Sequence, residues 1–160
     1  MFESRDRLAE EIGGLLDAFR TLGGGRYACL LEPKGRLPFE SAMPESEGHW
    51  MLRRFLEQRT EALFRLPAAL ASNEAMEDVF ADWEDDAFFL AFINGRVALV
   101  VACPDPESLK EQAEPPLRAL ADRLFRMNAA WRLDEKGRGL FLGRARLDLI
   151  VVGRADDREA

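Results

Sequence analysis

Hydrophobic residues recur at helical spacing in the first part of the chain. Within residues 4–22, the side chains that share one helical face are Leu8, Ile12, Leu15, Leu16 and Phe19. This spacing of three and four residues predicts an amphipathic helix. The run Gly23 to Gly25 follows directly, and glycine readily takes the left-handed backbone conformation that ends helices. The pattern predicts a helix that stops at the glycine run.

The residues after the glycine run favour extended structure. Aromatic and apolar residues fill 26–32, and a second extended stretch, 36–41, follows a turn at 33–36. A phosphate-binding loop requires the opposite order, with a strand before the glycines and a helix after them. No Ser or Thr follows Lys34-Gly35, so the Walker pattern also fails. The stretch predicts a β-hairpin rather than a nucleotide site.

The middle of the chain predicts a longer helix, 47–66. Its apolar stripe comprises Leu52, Phe55, Leu56, Ala62, Leu63 and Leu66, which suits packing against a sheet. Ser46 is the predicted N-cap, and Pro67 is expected to end or kink the helix. Arg59 falls inside the stripe, where its long side chain is expected either to reach water or to pair with an acid.

Three strands and a closing helix are predicted next. The strands are "DVFADW" (78–83), "AFFLAFI" (87–93) and "RVALVVAC" (96–103). Asn94-Gly95, between the last two, is the strongest short signal for a hairpin. Pro115-Pro116 suits the first turn of a helix, whose apolar stripe continues to Asn128.

The C-terminal part adds extended structure to this order. Residues 144–152, "RARLDLIVV", alternate as a strand does, and "GLFLG" at 139–143 is a candidate partner strand. The whole pattern predicts an α+β fold with a single five-stranded antiparallel sheet covered by helices, in the order α-β-β-α-β-β-β-α plus a C-terminal extension. We expect a domain at 1–130, an extension at 131–154 that packs on it or extends it, and a disordered tail at 155–160.

Length and composition agree with one domain. The 160 residues and their 48% apolar content are enough for a full core. The charged N-terminus lacks the apolar region of a signal peptide, and no apolar run approaches the roughly 20 residues of a membrane span. Two cysteines fit a reducing compartment and two buried free thiols. These features predict a cytoplasmic protein.

Charge is distributed unevenly along the chain. The net charge of −7 argues against a general nucleic-acid binder, because such proteins need basic surface to neutralise phosphates. Residues 131–154 nevertheless carry six Lys or Arg against three acids, which leaves −10 for the remainder. One interpretation is an edge strand guarded by arginines. The other is a patch, including Arg144 and Arg146, at which an acidic partner docks.

The spacing of the polar residues predicts no catalytic, metal or cofactor site. His49 is the only histidine, and Cys29 and Cys103 fall in strands rather than at a helix N-terminus that would lower a thiol pKa. The acidic stretch "DWEDDA" lacks the glycine and the glutamate of a calcium loop. We therefore expect no enzyme activity. Three tryptophans on separate elements keep a small-molecule pocket as an alternative, although large aromatics usually belong to cores or interfaces.

The outer face of the predicted middle helix carries aromatic residues among its charges. This face comprises Trp50, Arg53, Arg54, Glu57, Glu61 and Phe64. If two copies crossed antiparallel at Glu57, Trp50 would meet Phe64. Arg53 would then meet Glu61. Such a self-complementary face is what a twofold dimer requires, and we predict a homodimer interface here. Its unfavourable contact is Glu57 facing its own copy.

The order of these elements is the basis of a family resemblance. An N-terminal helix precedes the hairpin "RYACLLEPKGRLPFES", and the middle helix precedes the hairpin "FFLAFINGRVALVVA" and the closing helix. Over about four-fifths of the chain this order resembles the Roadblock family, the dynein-light-chain-like and MglB-like proteins. The departures are Glu32-Pro33, Pro67, the double proline and the extension after residue 130. The resemblance implies a five-stranded sheet between helices and a homodimer formed through middle helices and sheet edges.

The resemblance also implies a function. Roadblock-like proteins are non-catalytic platforms that bind or regulate small Ras-like GTPases, sometimes as the activating partner. Such a partner acts by repositioning the residues of the GTPase itself. Two other classes stay open from the residues alone. One is a secretion-chaperone-like acidic α/β dimer that binds an effector segment, and the other is a ligand-sensing or enzymatic domain with a closed polar pocket.

Overall fold

Helices and strands alternate along the part of the chain that the structure describes. This computed structural model describes residues 5–22, 24–33, 35–41, 47–72, 79–83, 86–131 and 145–154. The helices are α1 (Arg5–Leu22), α2 (Glu47–Glu57), α3 (Thr60–Leu63), α4 (Leu66–Ala71), α5 (Pro106–Gln112) and α6 (Glu114–Trp131). The strands are β1 (Tyr27–Glu32), β2 (Gly35–Glu40), β3 (Ala87–Ile93), β4 (Val97–Cys103) and β5 (Leu147–Val152).

The five described strands form one antiparallel sheet in the order β2-β1-β4-β3-β5. β1 pairs with β2 and, on its other side, with β4, where Leu30 lies opposite Leu99. β3 lies between β4 and β5, so that Leu90 is flanked by Val100 and Ile150. The predicted α+β class and single five-stranded antiparallel sheet are confirmed.

The sheet lies between two helical layers, and each of its faces has its own hydrophobic core. On one face, α1, α5 and α6 pack against alternate strand residues, including Leu30, Phe89 and Leu99. On the other face, α2, α3 and α4 pack against the intervening residues, including Cys29 and Phe88. Successive side chains of a strand point to opposite faces, so every residue of β3 and β4 is buried. This burial explains why both strands are continuously apolar in sequence.

The glycine run ends α1, as the sequence predicts. Gly24 has a φ of +63°, in the left-handed region, and its N–H donates to the carbonyl oxygen of Thr21 (3.1 Å). The N–H of Gly25 donates to the carbonyl oxygen of Arg20 (2.8 Å). A Cβ at Gly25 would lie 2.3 Å from the carbonyl oxygen of Ala102, so the chain passes β4 through a space that only glycine fits.

Both hairpins predicted around well-defined turns are present. β1 and β2 pair antiparallel, with Leu31 opposite Arg36. Between β3 and β4, Asn94 and Gly95 have φ angles of 52° and 66°, and a type I′ turn requires positive values at both positions. The N–H of Arg96 donates to the carbonyl oxygen of the last β3 residue (3.0 Å), which closes the turn.

The prediction of one continuous middle helix is wrong, because this part of the chain forms three separate helices, α2, α3 and α4. The backbone tightens at Arg59, whose N–H donates to the carbonyl oxygen of Leu56, three residues back (3.1 Å). The hydroxyl of Thr60 then donates to the carbonyl oxygen of Glu57 (2.9 Å) and competes with the helical ladder. The helical stretch breaks a second time just before Pro67, between Leu63 and Leu66, as expected for a proline that ends or kinks a helix. Pro67 itself lies in the first turn of α4, where a helix leaves its N–H groups unpaired in any case.

The predicted strand "DVFADW" is also wrong, because residues 79–82 form a turn. Val79 and Phe80 are neighbours and join the same core, whereas a strand would direct them to opposite faces. Phe80 stacks on Phe88 of β3, with ring centroids 4.4 Å apart. The fifth strand is instead β5, which pairs with β3. The order of elements therefore differs from the predicted α-β-β-α-β-β-β-α.

The C-terminal residues extend the sheet at its β3 side. β5 contributes side chains to both cores. Just before it, the N–H of Arg146 donates to Asn94 Oδ1 (2.7 Å), and the N–H of Asn94 donates to the carbonyl oxygen of Arg146 (2.8 Å). These bonds fix the register of β5 against the β3–β4 turn. The candidate partner strand 139–143 and the tail 155–160 lie outside the described residues.

Two glycines in the middle of α1 provide a test of this fold. A Cβ at Gly13 or Gly14 would have no neighbouring group within 4 Å, and neither residue is buried. Glycine in a helix interior is less favourable than alanine by about 0.8–1 kcal/mol. We expect Gly13→Ala and Gly14→Ala each to raise the free energy of unfolding by about that amount in urea denaturation. Gly25→Ala is the control and should destabilise the protein. Unchanged or lowered stability of both α1 variants would contradict this placement of the helix.

Candidate functional site on helix α2

The outer face of α2 presents an exposed patch of mixed chemical character. Trp50 and Met51 are large apolar side chains, yet they are 50% and 51% exposed. The guanidinium of Arg54 lies 5.4 Å from the Trp50 ring centroid, within cation–π distance. Glu57, at the end of the helix, is also exposed. We call Trp50, Met51, Arg54 and Glu57 the α2 patch.

The packing of the inner face of α2 against the sheet determines that the α2 patch faces away from the sheet. Leu52, Phe55 and Leu56 are buried against the sheet, as the predicted apolar stripe requires. Residues four apart share one side of a helix, so Trp50 and Arg54 lie together on the side that faces away from the sheet. The exposure of the aromatic residue therefore follows from the packing of the opposite side.

A carboxylate on the edge strand β2 anchors the second half of α2. Glu40 accepts a hydrogen bond from the Tyr27 hydroxyl (2.6 Å) through Oε2 and pairs with Arg53 (3.0 Å) through Oε1. Tyr27 is completely buried, so its hydroxyl requires such a partner. Arg53 is therefore engaged within its own chain. This removes the geometric basis of the predicted pairing between Arg53 and Glu61 of a second copy.

Arg59 anchors the end of α2. Its guanidinium lies 3.8 Å from the Phe55 ring centroid and pairs with Asp82 (3.2 Å) in the turn before β3. Of the two outcomes expected for Arg59, pairing with an acid is the one observed. Because the charge sits between an aromatic face and a carboxylate, the break after α2 is held in a defined position.

A second carboxylate ties this turn to β1. Asp86 accepts two bonds from the Arg26 guanidinium, at 3.1 Å from Nε and 2.7 Å from Nη2, in bidentate geometry. The indole N–H of Trp83 donates to the same carboxylate (2.7 Å). The Trp83 ring in turn lies 5.2 Å from that of Phe55 on α2. The ion pair therefore positions the aromatic residue against which α2 packs.

The structure divides the six residues of the predicted dimer interface into two groups. Those on the outside are Trp50, Arg54, Glu57 and Glu61. Phe64 follows the break in the helix and packs edge-on against Phe92 of β3, with centroids 5.5 Å apart. Since Phe64 and Arg53 both face their own chain, the predicted symmetry about Glu57 does not hold. The residues that could meet a partner are concentrated in the α2 patch.

Met51 is the patch residue that the sequence pattern misses. Its helical angle lies at the margin of the apolar stripe, where a methionine is read as part of the core. The anchoring carboxylates Glu40 and Asp86 are missed as well, because nothing local marks them as partners of Arg53 and Arg26. Their pairing depends on how the strands and helices are brought together.

Arg146, predicted for partner docking, lies beside the β3–β4 turn. Its side chain is 69% exposed and pairs with Asp148 (3.2 Å). Its backbone is held by Asn94, so the side chain projects from a fixed point at the start of β5. Arg144, the other residue predicted for docking, lies outside the described residues.

Neither cysteine is placed for chemistry. Cys29 and Cys103 are free and buried, as predicted. Burial raises the pKa of the Cys103 thiol from 9.0 to about 11, so the thiol stays protonated at neutral pH. Within the described ranges, no group of three or more His, Cys, Asp and Glu residues could hold a metal ion. The side chain of His49 is not among the described ones.

Among the described residues, none of the helices combines the length and the apolar character that crossing a membrane requires.

The buried Cys103 thiol predicts a loss of stability in alkaline solution. The unfolded chain ionises this thiol near pH 9.0 and the folded chain near 11, so the folded state holds more protons between these values. The contribution of the thiol is full below pH 9 and is lost as the pH rises towards 11. We expect the free energy of unfolding to fall by at most about 1.4 kcal/mol per pH unit from this group.

Urea denaturation at a series of pH values measures this effect. Cys103→Ala should lower stability by about 1 kcal/mol at pH 7 and flatten the alkaline slope relative to the parent chain. Cys29→Ala, at the other buried thiol, is the matched control. In this variant the decrease of the unfolding free energy with pH that is due to Cys103 should remain. An identical slope in the parent chain and in Cys103→Ala would refute the assignment.

Comparison with known proteins adds no identification. No protein-family model and no curated protein matches the chain. The Roadblock resemblance of the sequence stays a prediction. The fold agrees with it in its α+β class and its single five-stranded antiparallel sheet, whereas the last strand of that sheet comes from the C-terminal segment rather than from residues 78–83.

Proposed function

We propose that this chain is a non-catalytic, homodimeric scaffold that binds and regulates a small Ras-like GTPase, in the cytoplasm and without a cofactor or metal. The observation that carries the proposal is the α2 patch, in which two large apolar side chains are half exposed beside a stacked arginine. The GTPase class of the partner comes from the Roadblock resemblance of the sequence.

The composition of the α2 patch supports a protein interface. Trp, Met and Arg are enriched in the cores of protein interfaces relative to the rest of the surface. Trp50 and Met51 each leave apolar surface in water, which a partner would cover. Arg54 can stay stacked on Trp50 while its guanidinium pairs with a carboxylate, because the fork of donors is planar.

The arrangement of charges supports a second copy as the occupant of the patch. Arg54 and Glu57 lie three residues apart on one side of α2. If a twofold axis passes between them, each arginine meets the glutamate of the other copy, which is the self-complementarity of an isologous interface. This pairing involves residues of α2 only, so the end of the helix after Glu57 does not disrupt it. It replaces the pairs Trp50–Phe64 and Arg53–Glu61.

The anchors of α2 lower the cost of such an association. Glu40 pairs with Arg53 in the second half of the helix, and Arg59, two residues after its end, pairs with Asp82. A surface that is already ordered loses less conformational entropy when it binds. The patch is therefore suited to a stable contact rather than to one that must first be organised.

The uneven charge supports binding of a second, charged protein. Residues 131–154 carry a net +3 on a chain whose total is −7. A protein surface with regions of opposite charge orients a charged partner as it approaches and raises the association rate. Arg146 projects from the start of β5, on the edge of the sheet, whereas α2 lies on its face. A partner at β5 and a second copy at α2 would use different surfaces.

The α2 patch predicts that self-association depends on Trp50 and Met51. The wild-type chain is expected to be a dimer at micromolar concentration in size-exclusion chromatography with light scattering. Trp50→Ala with Met51→Ala should be a monomer of unchanged circular dichroism. Leu70→Ala with Phe125→Ala is the matched control, because these residues are 46% and 45% exposed on α4 and α6, and it should stay a dimer. A monomeric wild type would rule out the dimer.

The regulatory role predicts a dependence on the nucleotide of the partner. Calorimetry with candidate Ras-like GTPases should give affinities that differ by about tenfold between the GDP-loaded and GTP-analogue-loaded forms, within the range typical of allosteric coupling. Arg144→Glu with Arg146→Glu should slow association more than it speeds dissociation, and added salt should do the same to the wild type. Equal affinity for both loaded forms of a partner would reduce the role to that of a plain scaffold.

A further inference from the structure

β5 is an edge strand, and its outer side has no strand partner in the described part of the chain. It is last in the order β2-β1-β4-β3-β5 and pairs with β3 over all six of its residues. Its side chains are half-buried except for Ile150, which is buried. β5 is therefore firmly part of the sheet, while its other side pairs with no strand of the described residues.

The backbone register identifies which groups of β5 point outward. The carbonyl oxygen of Arg146 accepts from the N–H of Asn94, so Arg146 directs its backbone groups towards the β3 side. In an antiparallel ladder this direction alternates along the strand. Asp148, Ile150 and Val152 therefore bond to β3. The residues whose N–H and carbonyl groups point outward are Leu147, Leu149 and Val151.

The opposite edge of the sheet is protected in ways that β5 is not. β2 contains Pro38, which has no N–H to offer, and its pairing with β1 is irregular between Cys29 and Leu31. Bulges, prolines and charged side chains, lysine above all, are the usual means by which proteins prevent pairing at an edge. β5, "LDLIVV", has no proline or glycine, pairs regularly with β3, and carries a single charged residue, Asp148. The two edges thus differ in their capacity to accept another strand.

The charges at the ends of β5 indicate what kind of strand fits. Arg146 precedes β5 and Arg154 follows it, and both are exposed. If two β5 strands paired antiparallel in the register centred on Ile150, Arg146 of each copy would meet Arg154 of the other, and like charges across strands are destabilising. Asp148 offsets part of the charge of Arg146, but an exposed ion pair is weak enough for an incoming carboxylate to compete. The charges favour an acidic occupant over a second copy.

We propose that the outer edge of β5 is the docking site for an extended segment of a partner protein, with apolar residues in its centre and acidic residues at both ends, which adds to the sheet as a sixth strand. Main-chain bonds to Leu147, Leu149 and Val151 supply the affinity, and the two arginines select the acidic ends. The inference rests on the proposed partner-binding role and assigns it a location and a recognition mode.

Fluorescence anisotropy with synthetic peptides tests the site. The probe is a labelled peptide of six alternating Val and Thr residues with two glutamates at each end, and the comparison peptide has lysines at the ends. The glutamate peptide should bind at least about tenfold more tightly, and Arg146→Glu with Arg154→Glu should reverse the preference. Arg7→Glu with Arg65→Glu is the matched control. Arg7 lies on α1 and Arg65 between α3 and α4, and both are exposed, so the charge change is the same. This variant should keep the preference for the glutamate peptide.

A proline at the edge separates strand addition from simple charge attraction. Val151→Pro removes one outward N–H and no bond to β3, so both peptides should lose binding while the melting temperature stays within a few degrees. Equal binding of the two peptides, or full binding to Val151→Pro, would overturn the proposal. The proposal would also be overturned if the wild type were a dimer and the Val151→Pro variant a monomer, because β5 would then serve self-association.

The outcome can be told apart from that of the proposed function. If the peptides fail to bind but a GTPase binds with nucleotide preference, the regulatory role stands and the β5 site is wrong. If the glutamate peptide binds as described but no GTPase does, the β5 site stands and the partner belongs to another class. The Trp50→Ala with Met51→Ala variant should bind the glutamate peptide as the wild type does.

Discussion

The burial of β3 and β4 on both of their faces is the constraint from which the other elements follow. Neither strand offers a polar side chain to water, so each requires a helical layer on either side. α1 and α6 provide one layer, and α2 to α4 provide the other. Full burial of one large apolar side chain stabilises the fold by roughly 1.5–3 kcal/mol. The hairpin thus contributes strongly to stability, and its two sides are completed by β1 and β5.

The elements that the sequence predicts correctly are those that local chemistry determines. α1 ends where Gly24 can take a positive φ, and the β3–β4 turn forms where Asn94 and Gly95 can both do so. Local patterns do not predict the turn at residues 79–82. The apolar residues Val79 and Phe80 are typical of a short strand, but both side chains pack into the same core. Local patterns are also insufficient at Thr60, where hydrogen bonds from the side-chain hydroxyl to the backbone accompany a break in an otherwise regular helical stripe.

The ion pairs that position α2 lie beyond any local pattern. Arg26 and Asp86 are 60 residues apart in sequence, and Arg59 and Asp82 are 23 apart. Each pair joins elements that are distant in sequence and are brought together by the fold. For this reason the sequence indicates that α2 has an unusual outer face, but it does not indicate that Arg53 is taken up by its own chain. The α2 patch combines Trp50, Arg54 and Glu57 of the predicted interface with Met51, which the sequence pattern misses.

The two surfaces assigned to partners depend on the same strand. β3 begins next to Asp86, which positions Trp83 and through it α2, and it ends next to Asn94, which fixes the start of β5. The α2 patch lies on the face of the sheet and the β5 edge at its side, so that neither surface contains a residue of the other. A strand added to β5 would lengthen the hydrogen-bonded ladder to which β3 belongs. Because β3 is already buried on both faces and paired on both edges, such an addition would reinforce it rather than rearrange it. Partner binding at the edge and self-association through α2 are therefore compatible within one molecule.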